Sequence, residues 1–119
     1  MKRILVVEDN ERNMYLIGFI LRDSGYEVIE AWTGEEGVEL ALKEKPDLVL
    51  MDIQLPGIDG LETTKRIRET EAIGQTPIVA LTSYALTGDR EKSLKAGCTG
   101  YLEKPINPET FMADIEKYL

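Results

Sequence analysis

Five short apolar or mixed runs alternate with five helical patterns along the chain. Ile4–Val7, Leu48–Met51 and Ile78–Leu81 are continuous apolar runs. That is how strands read when both faces are buried, as in a parallel sheet. Each stops abruptly at polar residues: Glu8-Asp9-Asn10, Asp52 and Thr82. Glu27–Ala31 and Gly100–Glu103 are more polar and predict two further strands. Helical stretches fill the intervals. Residues 11–24 close at Gly25, 34–44 close before Pro46, and 60–69 follow Asp59 as N-cap. Residues 87–96 close at Gly97, and 108–118 begin with Asn107 as cap and Pro108 in the first helical position.

Strands alternating with helices predict an α/β fold, a doubly wound five-stranded parallel sheet of (βα)5 type with helices on both faces. The three most apolar strands belong in the centre and the two polar ones at the edges. That favours the flavodoxin-like order 2-1-3-4-5 over a six-stranded dinucleotide-binding sheet. With 119 residues, no repeat, no low-complexity tract and no linker, one domain over 1–119 is expected. Ligands in such sheets bind outside the carboxyl ends of the strands, at the switch point between strands 1 and 3. Those ends carry Glu8, Asp9 and Asp52, and strands 4 and 5 deliver Thr82 and Lys104 to the same edge.

Composition narrows the chemistry. The chain has no histidine and one cysteine, Cys98. An internal disulfide, zinc fingers and histidine-based catalysis are therefore excluded. A formal charge of −8 opposes direct binding to duplex DNA. No apolar run approaches the roughly 20 residues that span a bilayer, and residues 1–8 are too short and too soon acidic for a secretory signal. A cytoplasmic protein with protein partners, and no direct contact with nucleic acid or membrane, is expected. Met1-Lys2-Arg3 reads as a native start, and the last helix is expected to run to Leu119 with no output domain attached.

Three carboxylates at one sheet edge repel: a pair at ~4 Å costs about 4 kcal/mol at an effective dielectric near 20. Such a cluster protonates, splays or binds a cation. Hard oxygen ligands on strand ends suit Mg²⁺, with Mn²⁺ the alternative. A metal facing a lysine and a hydroxyl is equipment for phosphoryl transfer, in which Lys104 and the metal take up charge on the phosphoryl oxygens. Asp52 is the nucleophile of choice, at the end of the central strand and just before the open Pro56-Gly57 turn. Thr82 can donate its hydroxyl to a phosphoryl oxygen.

With these residues in place, the chain resembles the receiver domain of two-component response regulators. The motifs are ILVVEDN (4–10), PDLVLMDIQLPGIDG (46–60), PIVALTSYA (77–85) and GYLEKPI (100–106), in order and across the whole chain. The resemblance implies roles: Asp52 as phosphoacceptor, Asp9 as direct metal ligand, Glu8 as the acid holding a metal-bound water, and the backbone carbonyl of Gln54 as third protein ligand. It makes Thr82 the switch hydroxyl, Tyr101 the switch aromatic and Lys104 the phosphate-binding lysine, preceding a cis bond to Pro105. Tyr84 and Gln54 fall where the family tunes loss of the phosphoryl group. The implied partners are a histidine kinase or histidine phosphotransfer protein as donor and a downstream protein target. On that reading, Thr82 moves to bond the phosphoryl group, Tyr101 rotates into the space behind it, and the fourth helix shifts.

Two other functions remain to be weighed. A metal-dependent phosphohydrolase would want a second acid two residues after Asp52, where Gln54 stands. A flavin carrier would need a hydroxyl- and glycine-rich loop after strand 1, where the acidic Glu8-Asp9-Asn10 stands. In the first helix, Asn13, Leu16, Ile17, Ile20 and Leu21 share a face that should pack on the sheet, while Tyr15, Gly18 and Phe19 point away. The outward aromatics suit a helical partner carrying the donor phosphohistidine or, equally, contact with neighbouring helices across a wide apolar face. Trp32, Met14, Met51, Met112 and Cys98 read as packing residues.

Overall fold

Alternating side chains on each central strand feed two separate cores, which decides where the helices go. The computed structural model describes residues 2–70, 73–83 and 88–119. The strands are β1 (Arg3–Val7), β2 (Glu27–Ala31), β3 (Leu48–Asp52), β4 (Ile78–Thr82) and β5 (Gly100–Glu103). The helices are α1 (Glu11–Asp23), α2 (Gly34–Glu44), α3 (Gly60–Arg68), α4 (Asp89–Ala96) and α5 (Phe111–Glu116). All neighbours pair in parallel, in the order β2-β1-β3-β4-β5.

Leu5, Val7, Val49, Met51 and Ala80 pack with Ala41 of α2, Ile67 of α3 and Cys98 just past α4. Ile4, Val6, Leu48, Leu50, Val79 and Leu81 pack with Met14, Ile17 and Leu21 of α1 and Phe111 and Ile115 of α5. The period of two along each strand therefore assigns α1 and α5 to one face and α2, α3 and the end of α4 to the other. Every residue of β3 and β4 is buried, whereas β2 and β5 are half-covered edges. The expected order and the central placement of the apolar strands both hold.

Three local expectations need correction. Asn107-Pro108 opens a turn rather than the regular helix. The Asn107 side chain accepts from Glu109 N at 3.0 Å and its carbonyl accepts from Phe111 N at 2.9 Å, so the turns of α5 begin only at Phe111. Gly18 does not face outward; it is buried beneath Arg22, whose guanidinium pairs with Glu30 at 3.1 Å. On the opposite face of α1, Asn13, Leu16 and Ile20 are half-buried, leaving Met14, Ile17 and Leu21 as its buried side chains. The fourth helix was expected from residue 87; its regular turns run Asp89–Ala96, and Thr87 lies outside the described residues, as does Tyr84.

Asp59 caps α3 as expected, accepting from Glu62 N at 2.9 Å. Gly60 then presses on the end of β3. Its N–H donates to Ile53 O at 3.0 Å, and a Cβ there would fall 2.2 Å from the Asp52 carbonyl oxygen. Only glycine permits that approach. Gly57, at φ +75°, makes the left-handed turn that opens the loop between them.

Candidate phosphoacceptor site

Parallel pairing sets the carboxyl ends of β1, β3 and β4 side by side. Met51 stands opposite Val7 and Asp52 opposite Leu81, so the residues that follow converge at one edge. Carboxylate oxygens of Glu8, Asp9 and Asp52 lie within 4.8 Å of one another. The Lys104–Pro105 bond is cis, and Lys104 N donates to Thr82 O at 2.8 Å. From that anchor, Lys104 Nζ reaches 3.0 Å from both Glu8 Oε1 and Asp52 Oδ1. Four side chains from three strand ends thus meet at one point.

Local backbone bonds hold two of the acids. Asn10 caps α1, accepting from Asn13 N at 3.0 Å, and its own N–H donates to Glu8 Oε2 at 3.1 Å. Gln54 N donates to Asp52 Oδ1 at 3.1 Å. Asp52 keeps 2% of its surface, beside the exposed Asp9 and Gln54. Glu8 is wholly enclosed. Its Oε1 has the Lys104 ammonium as an ionic neighbour but receives no properly directed hydrogen bond.

The electrostatics follow from this crowding. Burial first, then the charge of Asp52, pushes the Glu8 carboxyl above the usual glutamate range, against the pull of Lys104. Burial alone would lower Lys104, but its close ionic contacts with Glu8 and Asp52 outweigh that and hold the ammonium above its usual value. Lys104 balances one of three negative charges. A crowded acidic set with an under-satisfied buried oxygen fits a divalent cation.

Thr82 is buried at the end of β4, opposite Glu103 in register, on the same edge. Tyr101 is half-buried on the face of Met51, Ala80 and Cys98. Arg90 of α4 lies over its ring, 5.1 Å from the centroid, a cation–π contact. Sequence reasoning missed Arg90, because nothing in spacing joins α4 to a strand eleven residues on. It also missed the Asn10 cap, although an asparagine just before a helical run is a readable signal.

A family model for the response regulator receiver domain matches residues 4–116. The chain belongs to the response regulator receiver domain family. This receiver is 43% identical over 118 residues to the polar-differentiation response regulator DivK of Brucella ovis, covering 99% of this chain and 96% of that one. Its fold matches chemotaxis protein CheY4 of Vibrio cholerae with a TM-score of 0.95 at 32% identity, covering 100% and 99% of the two chains. It also matches the receiver domain of sensor histidine kinase PA1611 of Pseudomonas aeruginosa PAO1, with a TM-score of 0.92 at 39% identity and coverage of 98% and 96%. That structure has a magnesium ion coordinated in the active site cleft. The present chain is therefore a receiver of two-component signalling, and its Glu8, Asp9 and Asp52 cluster fits a divalent-metal site beside a phosphoacceptor aspartate. Among the described residues, no helix is long and apolar enough to cross a membrane.

Proposed function

We propose that the receiver, acting as one unit over residues 1–119, takes a phosphoryl group from a phosphohistidine onto Asp52. The observation carrying this is Lys104 Nζ standing 3.0 Å from both Asp52 and Glu8, with Asp9 in the same acidic cluster. An Asp52 oxygen forms the new P–O bond while the donor P–N bond breaks, and the departing imidazole keeps the electron pair. Lys104 remains protonated, since its neighbours hold its pKa up, and can follow the growing charge on the phosphoryl oxygens. Thr82 binds a second phosphoryl oxygen through its hydroxyl. Asp9, Asp52 and the Gln54 carbonyl would hold Mg²⁺, with Mn²⁺ as substitute, and Glu8 would act through a bound water. The ion supplies charge neutralisation for the incoming phosphoryl group.

Phosphorylation raises the charge at Asp52 from about −1 to about −2 and adds acceptor oxygens. Thr82 and Tyr101 relay that change to α4 and so to a downstream protein. The donor is a histidine kinase or histidine phosphotransfer protein. It docks on α1, where Tyr15 is 75% exposed, Phe19 is 59% exposed, and both line a cavity of about 340 Å³ with Arg22 and Asp23. The chain works in the cytoplasm as a phosphoprotein, without contacting nucleic acid or membrane, and turns over no exogenous substrate. Gln54 occupies the place where a phosphohydrolase would want its second acid.

Incubation with acetyl phosphate and Mg²⁺, followed by intact-mass spectrometry, tests the reading. One phosphoryl adduct, labile to hydroxylamine and absent in Asp52→Ala, is expected. An adduct that persists in Asp52→Ala would place the chemistry on another residue.

A further inference from the structure

A groove of about 290 Å³ runs between α3 and α4, and its lining includes neither the acidic cluster nor the aromatic pair of α1. Leu61 and Ala96 contribute apolar surface to it, and Lys65, Lys92 and Lys95 line its sides. All three lysines are exposed, and none forms an ion pair among the described residues. Glu62 on the same helix pairs with Arg66 at 3.1 Å instead. Three cations without an ion pair among the described residues thus share one groove of a chain whose formal charge is −8.

We propose that this groove docks an acidic segment of a partner protein, its apolar side chains seated on Leu61 and Ala96 and its carboxylates flanked by Lys65, Lys92 and Lys95. The proposal goes beyond the phosphoacceptor reading and does not depend on it. An apolar floor inside a charged rim is the anatomy of a protein-binding patch. The volume lies just below the ~300–1,000 Å³ that encloses a small molecule. Lysines are flexible point charges, suited to carboxylates at varied positions rather than to one planar ligand. The overall negative charge repels an acidic partner at long range. At physiological ionic strength, however, screening acts over about 8 Å, so a segment already in the groove feels the three lysines first. Binding is therefore salt-sensitive, with its specificity set by the lysines.

The test is fluorescence anisotropy of a labelled amphipathic peptide of glutamate and leucine, against a lysine–leucine peptide and a glutamate–serine peptide. Saturable binding of the first alone is expected, weakened at least tenfold in the Lys65→Glu/Lys92→Glu/Lys95→Glu variant and by rising salt. Triple replacement by glutamine, which adds no repulsion from nearby acids, should weaken it in the same direction with circular dichroism unchanged. Absence of saturable binding, equal binding by either triple variant, or equal binding of the lysine–leucine peptide would overturn the proposal. So would lysine-dependent binding to vesicles containing phosphatidylserine without binding to the peptide, which would make the patch a membrane contact.

Discussion

Replacing Lys104 by methionine keeps most of the length of the side chain and removes the ammonium, its charge and its three N–H donors together. The structure says what that charge holds. Nζ lies 3.0 Å from each of two carboxylates, one wholly enclosed and the other 2% exposed. At an effective dielectric near 20, each contact is worth about 5 kcal/mol before desolvation. Much of that offsets the cost of burying three charges, but removing one partner leaves Glu8 and Asp52 facing each other. A net loss of about 3 kcal/mol at pH 7 without divalent ions is expected, near the range for a broken buried pair. Glu8 limits the loss. Its carboxyl is already raised by burial and by Asp52, and without Lys104 it takes up a proton more readily. An acid raised in the folded state penalises folding above its folded pKa, and the penalty vanishes below the unfolded value near 4.5. The deficit of Lys104→Met should therefore shrink as pH falls from 7 toward 4.5. It should also close at high pH. The raised Lys104 contributes stability below its unfolded value near 10.5 and loses it as pH climbs through the higher folded value. Mg²⁺ should replace the missing charge and stabilise the variant more than the parent. Urea unfolding followed by Trp32 fluorescence, with and without Mg²⁺ across pH, reads all three effects. A loss below about 0.5 kcal/mol, the range of ordinary surface changes, or equal stabilisation of both proteins by Mg²⁺ would refute the charge-balance argument.

Gly60→Ala should destabilise the fold by about 1–3 kcal/mol, since its Cβ would meet the Asp52 carbonyl at 2.2 Å; a parent-like urea midpoint would show that the loop yields. Tyr15→Ala with Phe19→Ala should slow phosphoryl transfer from a cognate histidine donor while leaving acetyl phosphate labelling unchanged, because both side chains are exposed on α1 and remote from the fold's cores. Thr82→Ala should still label at Asp52 but lose the phosphorylation-dependent gain in partner affinity, measured by titration calorimetry. Retention of both would remove Thr82 from the relay.

Much of this architecture could be read from residue order, for a physical reason. Strands buried on both faces must be apolar throughout, so Ile4–Val7, Leu48–Met51 and Ile78–Leu81 announced the centre of the sheet. The sharp change to acid at the ends of the first two marked the edge where Glu8, Asp9 and Asp52 gather. What escaped depends on how a side chain bends or what lies across a gap. Gly18 was placed outward because the inward face was centred on Leu16 and Ile20; the buried stripe is Met14, Ile17, Gly18 and Leu21, at i, i+3, i+4 and i+7, which leaves Leu16 and Ile20 half-buried. Asn107-Pro108 carries the chemistry of a helix start, yet its bonds close a turn first. Thr63 and Thr64 break the apolar period of α3 and are nevertheless buried, their hydroxyls bonding back to Asp59 O and Gly60 O at 2.7 and 2.8 Å. The grip of Arg90 on Tyr101 joins elements that no local pattern connects.

The tight seat of Gly60 has a mechanical consequence. Because Gly60 rests directly on the Asp52 peptide, a displacement of the end of β3 has to be passed to the first turn of α3. In the lysine groove, the α3 bank is thus seated on the strand end that carries Asp52, and adjustment of the groove's width falls to the opposite bank, α4.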